Sequence, residues 1–222
     1  MNILLSETEQ SLLVLLEELT KHHDWIELPV LAEKLNFSTE ELQEHLFKLE
    51  QLFPNLLIQS TKEGIQLQFE ARNSLDPRIA IFEQSETYSF LNRLFFKEGQ
   101  SLDQISQELM IGCEQVQEII QHLNTKLPQH YGISIQLSPL VMGGTEENIR
   151  AFYLDYFSQS YDFLDWPFPS ISEESLTHLI QLFLNAQQVS LTLSSLRQIK
   201  YTLAINLERF SKSHLIENPT PL

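Results

Sequence analysis

Three serine-headed boxes constrain this chain more than any other feature. Ser6 precedes Glu9, Ser38 precedes Glu41 and Ser101 precedes Gln104, each pair just ahead of periodic apolar residues. In such a box the serine hydroxyl accepts the backbone N–H of the third helical residue. The Glu or Gln side chain reaches back to the serine N–H. Three helix starts are therefore set before any tertiary contact is considered. After the first, Leu12, Leu13, Leu15, Leu16 and Leu19 recur at helical spacing, and Lys21-His22-His23-Asp24 closes the run. Trp25-Ile26-Glu27-Leu28 reads as a short extended link. Pro29 suits the first turn of a helix carrying Leu31, Ala32 and Leu35. Asn36-Phe37 makes a turn, and the Ser38 box opens a helix with Leu42, Leu46, Leu49 and Leu52, stopped by Phe53-Pro54-Asn55. Residues 57–60 and 65–69, across the polar turn Thr61-Lys62-Glu63-Gly64, alternate as a β-hairpin does.

Helix, helix, turn, helix, hairpin is the order of a winged helix-turn-helix, and it recurs. A helical stretch from Asp76-Pro77 runs through Thr87 to Phe96 and closes at Gly99. The Ser101 box opens a short helix with Ile105 and Leu109, and Ile111-Gly112 turns the chain. A helix over residues 113–127 presents Val116, Ile119, Ile120 and Leu123. Residues 133–137, with Leu140-Val141-Met142 and Gly143-Gly144, read as a second hairpin. From Thr145 the pattern is helical only. Thr145 caps a stripe of Ile149, Phe152, Tyr153, Tyr156 and Phe157, and Trp166-Pro167-Phe168-Pro169 breaks it. Ser172 caps a helix with Leu176, Leu179, Ile180 and Phe183, and Ser194 or Ser195 begins the last one. The predicted class is mainly α with small β-wings: winged units over 1–75 and 76–145, then a helical segment over 146–222. The repeat is one of architecture, not of sequence.

Composition supports helices, since only 6 Gly and 9 Pro occur in 222 residues. Cys113 is the sole cysteine, so neither an intrachain disulfide nor a cysteine-based zinc site can form. The N-terminus lacks a basic stretch and is not a signal peptide, and no apolar run approaches the ~20 residues of a membrane span. A cytoplasmic protein is expected. There is no Gly-rich phosphate loop, no Gly-x-Ser-x-Gly and no His-Glu-x-x-His, so neither enzyme activity nor a cofactor is expected.

Gly143-Gly144-Thr145-Glu146-Glu147-Asn148-Ile149-Arg150-Ala151-Phe152, followed by Tyr161 and Trp166-Pro167-Phe168, resembles the junction after the second DNA-binding unit of Mga-type regulators. Leu137-Ser138-Pro139-Leu140 and the order of the upstream units are similar to that family as well. The resemblance covers essentially the whole chain. It implies two winged units that bind double-stranded DNA, then helical modules related to phosphotransferase-system regulatory domains, in dimerising gene activators of Gram-positive bacteria. It also implies that the chain ends within or just after the first regulatory module.

The third helix of each unit is the one that enters the major groove in this architecture. In the first unit the DNA-facing candidates are Thr39, Glu40, Gln43, Glu44, Phe47 and Lys48, with Lys62 at the wing tip. In the second they are Glu114, Gln115, Gln117, Glu118, Gln121 and His122, with Lys126 near the wing. The resemblance implies Arg near Gln43, a basic residue near Phe47, and Tyr-Arg where Gln117-Glu118 stand; this chain departs at each. Formal net charge is -16, with 14 Lys+Arg against 30 Asp+Glu. Residues 1–75 hold 5 basic and 13 acidic residues, and 76–145 hold 4 and 8. Phosphate contacts by Lys and Arg supply most non-specific DNA affinity, and a Glu in their place repels the phosphates. Two functions compete on these grounds. One is a DNA-binding regulator. The other is a DNA-binding-deficient protein-interaction module or acidic decoy, acting on a regulator or a basic nucleic-acid-binding surface.

The remaining distinctive residues read as structural. Adjacent His22 and His23 do not face one point, so a surface role outweighs a metal. Cys113 reads as a partly buried helix-start residue, His178 lacks a phosphorylation signature, and the aromatic stripe reads as core. Phe152, Tyr156, Phe157, Phe163, Leu164, Trp166 and Phe168 crowd the helical segment, so homodimerisation through residues 146–222 is expected.

Overall fold

The computed structural model describes residues 1–22, 24–54, 57–61, 64–68, 76–162 and 165–216. These divide into two compact units, Asn2–Tyr88 and, together with Met1, Ser89–Leu222.

The first unit holds α1 (Glu7–Lys21), α2 (Leu28–Leu35), α3 (Thr39–Leu52), the antiparallel pair β1 (Leu57–Thr61) and β2 (Gly64–Gln68), and α4 (Pro77–Gln84). Both serine boxes close reciprocally. Ser6 N–H donates to Glu9 at 2.7 Å and Ser38 N–H to Glu41 at 2.8 Å, while Glu9 and Glu41 N–H donate to the serine hydroxyls at 3.3 and 3.1 Å. Pro29 lies in the first turn of α2, and Asn36 ends that helix in the left-handed region at φ 56, which Asn adopts readily. The expected extended link contributes one residue to the wing: Ile26 and Ile65 exchange N–H···O bonds of 2.9 and 2.7 Å. The core unites Leu12, Leu15 and Leu16 of α1 with Leu31, Leu42, Leu49 and Ile65. The stretch after Asp76 splits at Ser85 into α4 and α5 (Glu86–Phe96), and α4 packs on α1, burying Ala80, Ile81 and Phe82. Glu18 is almost wholly buried on α1. It meets the Lys34 ammonium of α2 at 2.5 Å, and His22 at 2.7 Å. His22 is thus a partner of Glu18, while His23 lies outside the described residues.

The second unit contains most of α5, then α6 (Leu102–Leu109), α7 (Cys113–Tyr131), β3 (Ser134–Leu137), β4 (Leu140–Gly143), α8 (Glu146–Ser160), α9 (Glu173–Gln187) and α10 (Leu193–Ser211). The Ser101 box forms with Gln104. The turn expected at Ile111-Gly112 pivots one residue earlier, on Met110 at φ 57. Helix α7 runs four residues beyond Leu127, through Pro128, and ends on Gly132 at φ 65. Asn124 explains how the chain re-enters a strand there. Its side-chain oxygen accepts Ile135 N–H at 2.7 Å and its amide donates to Ile135 O at 3.0 Å, copying a strand neighbour. The Ser138–Pro139 bond in the β3–β4 turn is cis. Gly99 N–H donates to Leu140 O at 2.9 Å, the counterpart of the Ile26–Ile65 link in the first unit.

Thr145 caps α8, whose stripe is core: Phe152, Tyr153 and Phe157 are fully buried. The Phe95 ring lies 4.5 Å from Tyr153 and 4.9 Å from Phe157, and Phe168 packs 4.8 Å from Phe157 and 5.6 Å from Tyr201 of α10. Two expectations need correction. Helix α10 is capped by Thr192, whose hydroxyl accepts Ser195 N–H, rather than by Ser194 or Ser195. The part of the apolar surface expected to stay unpaired is not the stripe: Phe152, Tyr156 and Phe157 are core as read, and Phe168 is buried with them. The exposed apolar residues of this segment include Leu179, Leu182 and Phe183 on α9, which buries only Leu176 and Ile180. Phe163 and Leu164 lie outside the described residues. Among the described residues no helix is long and apolar enough to cross a membrane.

Candidate nucleic-acid interface

Each winged unit presents one face of its third helix to solvent. On α3, burial of Leu42, Leu46 and Leu49 turns the opposite face outward. Thr39, Gln43 and Phe47 form one exposed row at four-residue spacing, and Glu40, Glu44 and Lys48 form the next. Phe47 is 60% exposed, unusual for an aromatic with a core available beside it. Glu41 is spent on the cap, and its bonds from Ser38 hold its carboxyl below the usual glutamate range. His45, half-buried between these rows and the core, packs edge-on against Phe37 at 5.1 Å. Burial, aided by Lys48 and opposed by Glu41 and Glu44, holds the imidazole pKa down.

On α7, Val116, Ile120, Leu123 and Leu127 face the core. Glu114, Glu118, His122 and Lys126 make one four-residue row, exposed at its start and half-buried from His122 onward. Gln117 and Gln121 are exposed beside it. Gln115 is exposed too, but its side-chain oxygen accepts Gly112 N–H at 3.1 Å and so serves the helix start. Cys113 is partly covered, its thiol 3.3 Å from an Asp103 oxygen. Lys62 lies outside the described residues.

The structure thus brings the α3 candidates onto one surface and most of the α7 candidates onto another. Several cations around these helices are already engaged. Lys34 of α2 is held by Glu18, and Arg93 of α5 and Lys97 just after it both reach Glu108 of α6. What sequence reasoning missed is the support for these faces: Asn124 under β3, and the links of Ile26 and Gly99 to the hairpins. An isolated Asn inside an apolar-periodic helix is the signal that could have pointed to the first.

Residues 12–65 match the M protein trans-acting positive regulator (MGA) HTH domain, and residues 76–157 match the Mga helix-turn-helix domain. The chain belongs to the Mga-type helix-turn-helix family. A protein named as a trans-acting regulator in Streptococcus pneumoniae serotype 4 is 32% identical over 98% of this chain and 44% of its own length. The anthrax toxin expression trans-acting positive regulator of Bacillus anthracis is 26% identical over 95% of this chain and 44% of its own. The capsule synthesis positive regulator AcpA of the same organism is 20% identical over 91% and 42%. The chain therefore spans less than half the length of these relatives. The Mga-type match over 76–157 runs from α4 through most of α8, so it includes the aromatic stripe along with the second helix-turn-helix.

Proposed function

We propose that this chain is the DNA-binding front of a Mga-type positive transcription regulator of the cytoplasm, contacting duplex DNA through α3 and α7. The observation that carries this reading is the pair of solvent-facing third helices, each fixed by a capped start and a hairpin wing. The groove-facing residues are Thr39, Glu40, Gln43, Glu44, Phe47 and Lys48 on α3, and Glu114, Gln117, Glu118 and Gln121 on α7. The winged units correspond to residues 1–75 and 76–145, and 146–222 acts as the helical regulatory segment. A homodimer through 146–222 is part of the same reading, supported by the exposed Leu179, Leu182 and Phe183.

A second reading has a specific observation in its favour: Glu40, Glu44, Glu114 and Glu118 all stand exposed where groove-facing residues belong. On that reading the faces bind a protein, such as a basic nucleic-acid-binding surface. One titration separates the two. The chain and its Glu44→Arg/Glu118→Arg variant are titrated by fluorescence anisotropy into random duplex DNA at low salt. Each substitution adds two units of positive charge, and each new phosphate contact steepens the log–log salt dependence by roughly one unit. The double variant is expected to bind more tightly, with a steeper loss on adding salt. No gain in the variant means that these faces do not meet DNA.

A further inference from the structure

The C-terminal end of α10 grips the entrance to the second helix-turn-helix through buried charge. Arg209 is 1% exposed and lies between two carboxylates that are each 9% exposed. Its guanidinium donates to Glu98 at 2.5 Å and, through two nitrogens, to Glu146 at 2.9 and 2.7 Å. Glu146, at the start of α8, also accepts from Arg150 at 2.8 Å. Arg150 in turn donates to Asn206 and to His214 O, both at 3.0 Å. The His214 ring stands 2.5 Å from the second oxygen of Glu98. The Lys212 ammonium donates to Phe95 O in the last turn of α5 and lies 5.1 Å over the Phe95 ring.

Residues 95–99 are therefore held from two sides. Arg209 of α10, with Lys212 and His214 just after it, holds them from one side, and the Gly99 N–H bond to Leu140 holds them to the wing. Helix α6 begins three residues later. A buried carboxylate such as Glu98 is stable only while its cation stays with it, and the network is worth most when every member is satisfied. Closed and paired, or open and hydrated, are its two stable conditions. A cleft of about 780 Å³ runs alongside, lined by Thr145, Glu146, Glu147, Arg209, His214 and Leu215.

We propose that this cluster is a conformational clamp: the end of α10 sets the order of α6 and the start of α7, so that displacing it loosens the second helix-turn-helix. The clamp rests on geometry within this unit, and only its effect on DNA depends on the function proposed above.

Hydrogen exchange read by mass spectrometry on the full chain tests it without DNA. Replacing Arg209 would strand two buried carboxylates and endanger folding, so the perturbations are Lys212→Met with His214→Ala from one side and Glu98→Gln from the other. The first is expected to speed exchange over residues 102–120 by roughly tenfold, the scale of a lost charge-assisted bond that gates local opening. Exchange over 7–52 and 173–187 stays unchanged. Because coupling is reciprocal, Glu98→Gln is expected to speed exchange over 205–211 by a similar factor. Faster exchange confined to the substituted end in both variants would overturn the clamp. So would uniform acceleration across 89–216, which marks a general loss of stability.

Discussion

Replacing Gly64 by alanine tests whether the first wing is closed by the Ile26 bridge onto its hairpin. Gly64 opens β2 at φ +132, a region that side chains rarely enter, and it faces the link between α1 and α2. A Cβ there would lie 2.2 Å from Ile26 O, 2.5 Å from Ile26 C and 2.9 Å from Glu27 N. All three are backbone atoms, so no rotamer change relieves the overlap. The backbone strain costs about 1–3 kcal/mol. Relieving it by moving the link breaks the two Ile26–Ile65 hydrogen bonds, at about 0.5–1.5 kcal/mol each. The total of about 2–6 kcal/mol corresponds to a fall in melting temperature of about 8 °C or more for a unit of this size. Gly99→Ala is the matched control: its φ is +78, but nothing lies within 4 Å of the added carbon, so about 1 kcal/mol is expected. The chain has two tryptophans, Trp25 in the link and Trp166 in the other unit. A Trp166→Phe background therefore lets fluorescence follow the first unit during thermal and urea unfolding, and a Trp25→Phe background follows the Gly99→Ala control in the second. If the stability of Gly64→Ala lies within about 0.5 kcal/mol of its parent, the Ile26 bridge is not closed against the hairpin and the reasoning fails.

Two further outcomes follow from buried polar groups. Bonding from Lys34, outweighing the opposing effect of burial and helped by His22, holds the Glu18 carboxyl below the usual glutamate range. Its contribution is therefore present above the ordinary glutamate pKa and is lost as pH falls through the depressed folded value. Lys34→Met should weaken the first unit already at neutral pH and flatten its acid dependence in that window, as read by urea midpoints at a series of pH values. Asn124→Leu keeps the volume but strands both backbone groups of Ile135, so the second unit should lose about 2–3 kcal/mol in urea unfolding.

The sequence carries the elements well because their signals are local. A serine box fixes a helix start with two hydrogen bonds inside one turn, and all three form as read from Ser6, Ser38 and Ser101. The hairpins and the Thr145 cap are equally local. What escaped is what depends on distant partners. Thr192, Ser194 and Ser195 are all competent caps, and the choice falls to the hydroxyl that meets Ser195 N–H. The stripe of α8 reads as core from its spacing, but its partners, Phe95, Phe168 and Tyr201, come from distant segments that spacing does not name. The Arg209 cluster joins residues more than a hundred positions apart, and no spacing rule announces it. The candidate faces on α3 and α7 were legible because the leucines of one side of each helix define the other.

The acidity of those faces acquires a sharper meaning from the packing around them. Lys34, Arg93 and Lys97 sit near the helix-turn-helix elements yet are drawn to Glu18 and Glu108, so they are poorly placed to meet phosphates. On the proposed DNA-binding reading, these three cations would add little to non-specific affinity through counterion release. On that reading, binding to duplex DNA would draw on the uncharged rows, Thr39, Gln43 and Phe47 on α3 and Gln117 and Gln121 on α7. These can offer hydrogen bonds and apolar contact to base edges, the part of an interface that specifies rather than attracts. Such an interface has a shallow salt dependence, whereas capture of a basic protein by the glutamate rows has a steep one. The salt slope of the unaltered chain with each kind of partner thus separates the two functions even where the affinities are alike.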